Sequence, residues 1–443
     1  MGNKATHDIT MSTGNMLFSH GPLFLLVLTF FFIFSSGTVF AGDLRLDDLI
    51  QEALKNNPEI LFAEASTSAS QYRIPQAKSL PDPMFMFGYQ NEGWRRYTYG
   101  EMPDAQWMFS ASQMIPFPGK LSLKGEMSER ESESLRASYE SAKLKTVLRV
   151  KEFYYDLFLV YKEIDLIREK AMLLKQVEDA AVARYSAGMG LQQEVLMAQT
   201  EKYMLLEKEE MLKQKVQSLE AMLNTTIGRD VNAPLGRPDD LPSAACNYSM
   251  DMMIKTAMEN SPEIKFRDKM IAAAEAKVRM MQKEYIPDFT LNASYFNRGG
   301  QEFDDMWSLT TTINIPLYYK TKQKQAVLEA ESSLTGARHE LQGTKLMISS
   351  SIRDNYSMMK SAERLMELYK NGLIPKTYQD FELSLAGYAT GKVEAITVIT
   401  RLKWLLDYEF LFWGQVAERE KAIARLEAVS GINSKASAVT EKK

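Results

Sequence analysis

The sequence predicts a mainly α protein with a small membrane-spanning β part, built twice over from one unit. Three observations carry this expectation. Markers along the 443-residue chain recur in order, two long stretches lack the breaks that end ordinary helices, and four short segments alternate apolar with small polar residues.

The chain opens on an export-like segment. Leu23 to Phe34 is a twelve-residue apolar run, too short to span as a helix. Ser35-Ser36-Gly37 and Val39-Phe40-Ala41 follow it, small at the positions that cleavage before Gly42 requires. Residues 1–41 are therefore expected to be a signal peptide. Lys4 is the only lysine or arginine ahead of the run, which leaves Met11 and Met16 as alternative starts and a membrane-anchored N-terminus as the other reading. The sole cysteine, Cys246, can form no internal disulfide and lies too far along the chain to be a lipid-bearing N-terminal cysteine.

Next comes the duplication. Leu46-Asp47-Asp48-Leu49-Ile50 leads to Asn56-Asn57-Pro58-Glu59-Ile60, and Met250-Asp251-Met252-Met253-Ile254 leads to Asn260-Ser261-Pro262-Glu263-Ile264, an offset of 204. Leu80-Pro81-Asp82 answers to Ile286-Pro287-Asp288, Trp107 to Trp307, Ile115-Pro116-Phe117 to Ile315-Pro316-Leu317, and Gly228 to Gly431. Ordered matches of this kind define two repeats, 42–228 and 250–431. Between them 229–249, with Pro234, Gly236, Pro238 and Pro242, reads as a linker, and 432–443 as a flexible tail.

In the first repeat, strands are expected at about 84–91 and 107–117. Phe85, Phe87 and Tyr89 alternate there with Met84, Met86 and Gly88. In the second, at about 289–297 and 307–318, Phe289, Leu291, Leu309 and Ile313 fall on one face. Thr290, Asn292, Ser294, Ser308, Thr310, Thr312 and Asn314 fall on the other. Apolar residues facing lipid and small polar ones facing a wet lumen are the pattern of a membrane barrel. Four strands leave two edges whose backbone cannot stay unpaired in hydrocarbon, so the chain must oligomerise. Two copies give a plugged barrel and three a twelve-stranded conduit.

The strands give way to long helices, expected at about 120–187 and 190–227 in the first repeat and 320–386 and 392–430 in the second. From Ser122 to Ala187 there is no proline and one glycine, Gly125, enough for a helix of about 95 Å at ~1.5 Å per residue. Val147, Val150, Tyr154, Leu157, Tyr161 and Ile164 keep coiled-coil spacing, and Ala198, Leu205, Leu212 and Leu219 recur every seven residues after Gly188. The second long stretch is expected to break near Gly372 and Pro375, with Ile396, Ile399, Leu406, Phe410 and Trp413 lining the helix that returns. Each repeat is thus a helical hairpin joined to a β-hairpin.

Taken in order, these motifs resemble the TolC family of outer-membrane efflux proteins. The Asn-Pro segment at Ala53–Ile60, Leu80-Pro81-Asp82-Pro83, Ile115-Pro116-Phe117-Pro118-Gly119-Lys120, Arg184-Tyr185-Ser186-Ala187-Gly188 and Gly387-Tyr388-Ala389-Thr390-Gly391 carry the likeness over nearly the whole mature chain. The resemblance implies a homotrimer in a Gram-negative outer membrane, with a twelve-stranded barrel and a twelve-helix periplasmic tunnel. It further implies a periplasmic adaptor and an inner-membrane pump of the resistance-nodulation-division type. Tyr185, Gly188, Tyr388 and Gly391 match the adaptor-facing tips. At the periplasmic aperture, where drug-efflux and protein-secretion members carry carboxylates, this sequence has Thr397 and Thr400, with Glu194 and Glu394 nearby.

Other function classes find less support. With 53 basic and 57 acidic residues no basic face points to nucleic acid, and a mean hydropathy of −0.27 excludes a helical multi-span protein. The mature chain has one histidine, His339, and no nucleophile or phosphate-loop motif, so neither an enzyme nor a cofactor is expected. The 27 methionines read as core filling rather than as a soft-metal site. A soluble periplasmic coiled-coil or adaptor protein, and an exit duct for type I protein secretion, remain the alternatives.

Overall fold

The computed structural model describes residues 44–239, 241, 249–299 and 302–431. The expected signal peptide, most of the linker's second half and the expected tail lie outside them.

Each repeat begins with a short helix and a longer one: α1 (Leu46–Asn56) and α2 (Pro58–Lys78) in the first. Asn57 separates them. Its side chain caps α2 by accepting from the Ile60 amide at 3.1 Å, while its Nδ2 donates to the Thr226 carbonyl at 2.7 Å, which ties the cap to the far end of the repeat. Strands β1 (Met84–Gln90) and β2 (Gln106–Ile115) follow. Helix α3 (Lys120–Ser186) runs for 67 residues and α4 (Gln192–Ile227) returns along it. The second repeat supplies α5 (Met250–Asn260), α6 (Pro262–Lys283), β3 (Asp288–Asn297) and β4 (Met306–Asn314). It continues with α7 (Gln323–Leu368), α8 (Ile374–Ala389) and α9 (Ala395–Ser430).

The described helices and strands fall at the expected places, with three differences of physical interest. Strands β2 and β4 stop at Ile115 and Asn314, short of the expected 117 and 318, because Pro116 and Pro316 have no N–H to give the ladder. The break expected near Gly372 and Pro375 is a single wide turn, Tyr369–Leu373, in which the Ile374 amide reaches back five residues to Tyr369. That turn absorbs the missing donor of Pro375, so α7 and α8 continue one into the other. On α9 the buried stripe is Val398, Ile399, Leu402, Leu405 and Leu406, whereas Ile396 is exposed.

Packing follows the coiled-coil spacing. Val150, Tyr154, Leu157 and Val160 of α3 meet Leu219, Leu223 and Ile227 of α4 and Leu49 and Ala53 of α1 in one core. Further along α3, Ile167, Leu174 and Val177 join Phe381, Val398 and Leu402 of the second repeat. Ion pairs stitch the same two repeats together: Arg425 with Glu152 at 2.7 Å, Lys421 with Asp156 at 3.0 Å, and the fully buried Lys170 with Glu409 at 2.8 Å. Lys170 also donates to Glu169 at 2.9 Å, so its buried ammonium, which would cost several kcal/mol if left unpaired, has two carboxylates.

Candidate functional site: an open-edged sheet and paired helical tips

The four strands form one antiparallel sheet in the order β1-β2-β3-β4. Its middle pairing, β2 with β3, joins the two hairpins, and β1 and β4 are left as free edges. Because residues opposite each other share a face, the register sorts the side chains. Phe87, Phe109, Tyr295 and Trp307 form a row across all four strands. The Phe87 ring stacks on Trp107 at 5.1 Å, and Tyr89 lies 4.9 Å from the same indole. Below that row stand Phe85, Ala111, Ala293 and Leu309, and lower still Ile115, Phe289 and Ile313. Nothing in the described chain covers this face: Phe85 is 81% and Trp307 80% exposed.

The opposite face carries the seven residues expected to line a lumen. Thr290 stands against Thr312, Asn292 against Thr310, Ser294 against Ser308, and Asn314 against Asp288. The first repeat adds Ser110 and Ser112 to these rows, together with Met84, Met86 and Met114. A sheet that is aromatic and exposed on one side and hydroxylic on the other has the polarity of a lipid-facing barrel wall.

Where sheet meets helix, Lys120 is buried and bonds to three groups. Its Nζ donates to the Ile286 carbonyl and to Asp288 Oδ1, each at 2.9 Å, and lies 3.4 Å from Glu284. Asp288 also accepts from the Phe117 amide at 2.8 Å. The exit of the first hairpin is thereby latched to the start of the second. The Pro-Gly-Lys motif is visible in the sequence, but nothing local to it marks its partner, 168 positions away in the duplicated Ile-Pro-Asp motif.

At the other end of the long helices the two tips share one turn. Gly188 and Gly391 sit at φ 71° and 77°, and their amides donate to Tyr185 and Tyr388 carbonyls at 3.0 Å. Positive φ is what glycine supplies at such a turn. Tyr185, Gly188 and Gly391 are exposed, but the Tyr388 side chain is fully buried and presents nothing outward. Its hydroxyl donates to Glu194 Oε2 at 3.0 Å, and burial, reinforced by that carboxylate, pushes the phenol up to about 12. Arg184 completes the clamp by donating to the Tyr388 carbonyl at 2.8 Å and the Met189 carbonyl at 3.0 Å.

Glu194 is thus engaged inside the clamp, half-buried, while Glu394 is exposed at the start of α9. Thr397 and Thr400 are half-buried, and Thr400 turns its hydroxyl back onto the Ile396 carbonyl at 2.7 Å. Among the described residues no cluster of three or more His, Cys, Asp or Glu side chains could hold a metal ion, and no helix is long and apolar enough to cross a membrane.

An exposed aromatic sheet on long antiparallel helical hairpins is the construction of a channel-forming outer-membrane protein. The chain belongs to the outer membrane efflux protein family, whose pattern it matches over residues 49–229 and 253–400. No curated protein sequence matches it. Solved structures do match in fold. The outer membrane protein VceC of Vibrio cholerae is 17% identical with a TM-score of 0.75, over 87% of this chain and 96% of that one. The CmeC outer membrane channel of Campylobacter jejuni is 14% identical with a TM-score of 0.72, over 89% and 88%. The open-state MtrE outer membrane channel of Neisseria gonorrhoeae is 14% identical with a TM-score of 0.67, over 88% and 89%.

Proposed function

We propose that three copies of this chain form a twelve-stranded barrel in the outer membrane and a helical tunnel beneath it. In this reading the tunnel is the passive exit of a tripartite efflux pump. An inner-membrane transporter of the resistance-nodulation-division type supplies the driving force, and a periplasmic adaptor joins it to the tips around Tyr185, Gly188 and Gly391. The hydroxyl face from Thr290 to Asn314 lines the lumen, and Glu394, Thr397 and Thr400 lie at the aperture. An N-terminal signal peptide directs export.

The single observation that carries the proposal is the sheet itself. It has two free edges and an uncovered aromatic face, an arrangement that is costly in water and has unpaired backbone in lipid. Closure with further copies in a membrane removes both costs. Purification from outer membranes in mild detergent should return a three-chain particle that gives discrete conductance steps in planar bilayers. A buffer-soluble monomer without conductance would instead indicate the soluble coiled-coil reading.

A further inference from the structure

Charge is divided unevenly between the two ends of the sheet. The loops at one end, residues 91–105 and 298–305, hold six carboxylates, three arginines and no lysine. At the other end strands pass into helices over residues 78–83, 116–124, 283–287 and 315–324, which hold seven lysines and two carboxylates, Asp82 and Glu284. Glu284, together with Asp288, is already taken by Lys120. The other six lysines, Lys78, Lys124, Lys283, Lys320, Lys322 and Lys324, have no carboxylate partner among the described residues. Lys120 shows what a lysine at this level does when an acid is supplied, and its neighbours have none.

Three of the six gather around the start of α3, and two glycines make room for them. Gly125 is the only glycine within α3, and it lies buried under the aliphatic stem of Lys78 from α2, so that a Cβ there would collide with the stem. Gly119, just ahead of α3, lies under Lys283 from α6, whose Nζ is 2.9 Å from the place a Cβ would take. Lys124 falls between the two glycines and is exposed. Six residues separate the glycines, about 9 Å along a helix, so three ammonium groups share one patch. Like charges this close repel one another, and an anion held among them relieves that repulsion.

The surface beside the lysines indicates the kind of anion. The Lys283 ammonium lies 5.8 Å from the ring centre of Phe117, two residues beyond Ile115, where the aromatic face of β2 ends. In the second repeat Leu317 is 76% and Tyr318 79% exposed, directly ahead of the exposed Lys320, Lys322 and Lys324. Free phosphate gains nothing from apolar surface of this kind. A phospholipid brings acyl chains to the aromatic face and a phosphate to the lysines at its foot, whose stems pack on the protein while their charged ends reach outward. Helices α2, α3 and α6 pack side by side in that order, so the patch is complete within one chain.

We propose that the foot of the sheet binds anionic phospholipid of the membrane leaflet nearest the long helices, with Lys78, Lys124 and Lys283 holding the phosphate of one headgroup. This rests on the membrane-barrel reading and deepens it by naming the lipid class and the residues that select it. The acidic loops at the opposite end have no such patch, so the lipid preference belongs to one leaflet.

The test uses the full-length protein, delipidated in mild detergent and given phosphatidylglycerol and phosphatidylcholine in equal amounts, with bound lipid counted by native mass spectrometry. A lysine near an anionic surface is worth about fivefold in affinity, so three should favour phosphatidylglycerol by at least roughly tenfold. Lys78→Gln with Lys124→Gln and Lys283→Gln should bring the ratio near one. Should that triple variant fail to fold, Lys124→Gln alone, at an exposed position, should still lower the ratio by about fivefold. Gln at Lys255, Lys376 and Lys392, exposed on α5, on α8 and at the second tip, should leave it unchanged. Sodium phosphate should displace no more lipid than sodium chloride of equal ionic strength, and greater displacement would assign the patch to a soluble anion and overturn the proposal. Equal binding of the two lipids by the parent, or a ratio unmoved by the Gln variants, overturns it as well, and the barrel stands if that parent still conducts in planar bilayers. A parent without conductance removes the barrel reading and the proposal together.

Discussion

Tyr388 combines a buried ring with a polar task. Its hydroxyl holds Glu194 and its carbonyl holds Arg184, so one residue joins the tips of two repeats. The phenol is raised from its ordinary 10.0 to about 12, first by burial and then by the neighbouring carboxylate. A raised folded-state value means that the contact contributes in full below pH 10 and is lost as pH rises through about 12. A difference titration at 295 nm between the parent and Tyr388→Phe should show one phenol ionising near pH 12, and ionisation near pH 10 would contradict the clamp. The two glycines are marked in the sequence because turns need positive φ, whereas Tyr388, expected from the family likeness to face outward, is buried in the clamp. Arg184, quoted only as part of a motif, gained its role from a contact 204 positions away, which no periodicity encodes. Lys120 is a parallel case, since a buried lysine looks like any other until its carboxylate is placed.

Elements were more legible than side chains, because prolines end strands and glycines end helices by backbone chemistry alone. Gly188 and Gly391 both need positive φ, yet they differ in surroundings. A Cβ at Gly188 meets nothing within 4 Å, while one at Gly391 comes within 3.1 Å of Arg184 Nη1. Gly188→Val should therefore cost only the backbone strain of a left-handed residue, about 1–2 kcal/mol, whereas Gly391→Val also displaces the guanidinium from Tyr388. Hydrogen exchange at the tips should speed up more in the second variant, with the sheet unaffected in both. Equal acceleration would mean that Arg184 carries no part of the turn's stability. At the wide turn Tyr369–Leu373 the sequence, with Gly372 and Pro375, predicts a break. A five-residue reach repairs the ladder there, a rescue that propensity cannot register.

At the scale of the molecule, duplication does most of the construction. Two hairpins, one from each repeat, are joined by β2–β3 pairing, and the long helices of the two repeats are joined by ion pairs, among them that of the buried Lys170 with Glu409. Alternation in the sequence revealed which side chains share a face, and the register extends those faces across four strands. What alternation could not provide was the order of the hairpins, because nothing local distinguishes β2–β3 pairing from β1–β4. The consequence is a wall with one lipid-compatible side, one hydroxyl side and two bare edges. The most direct test is chemical access from water in intact outer membranes. Single cysteines at Thr290, Thr310 and Thr312 should react with a small charged thiol reagent, and their modification should lower single-channel conductance. Cysteines at Leu291, Leu309 and Ile313 should stay unmodified, and equal reactivity on both faces would contradict a water-filled barrel.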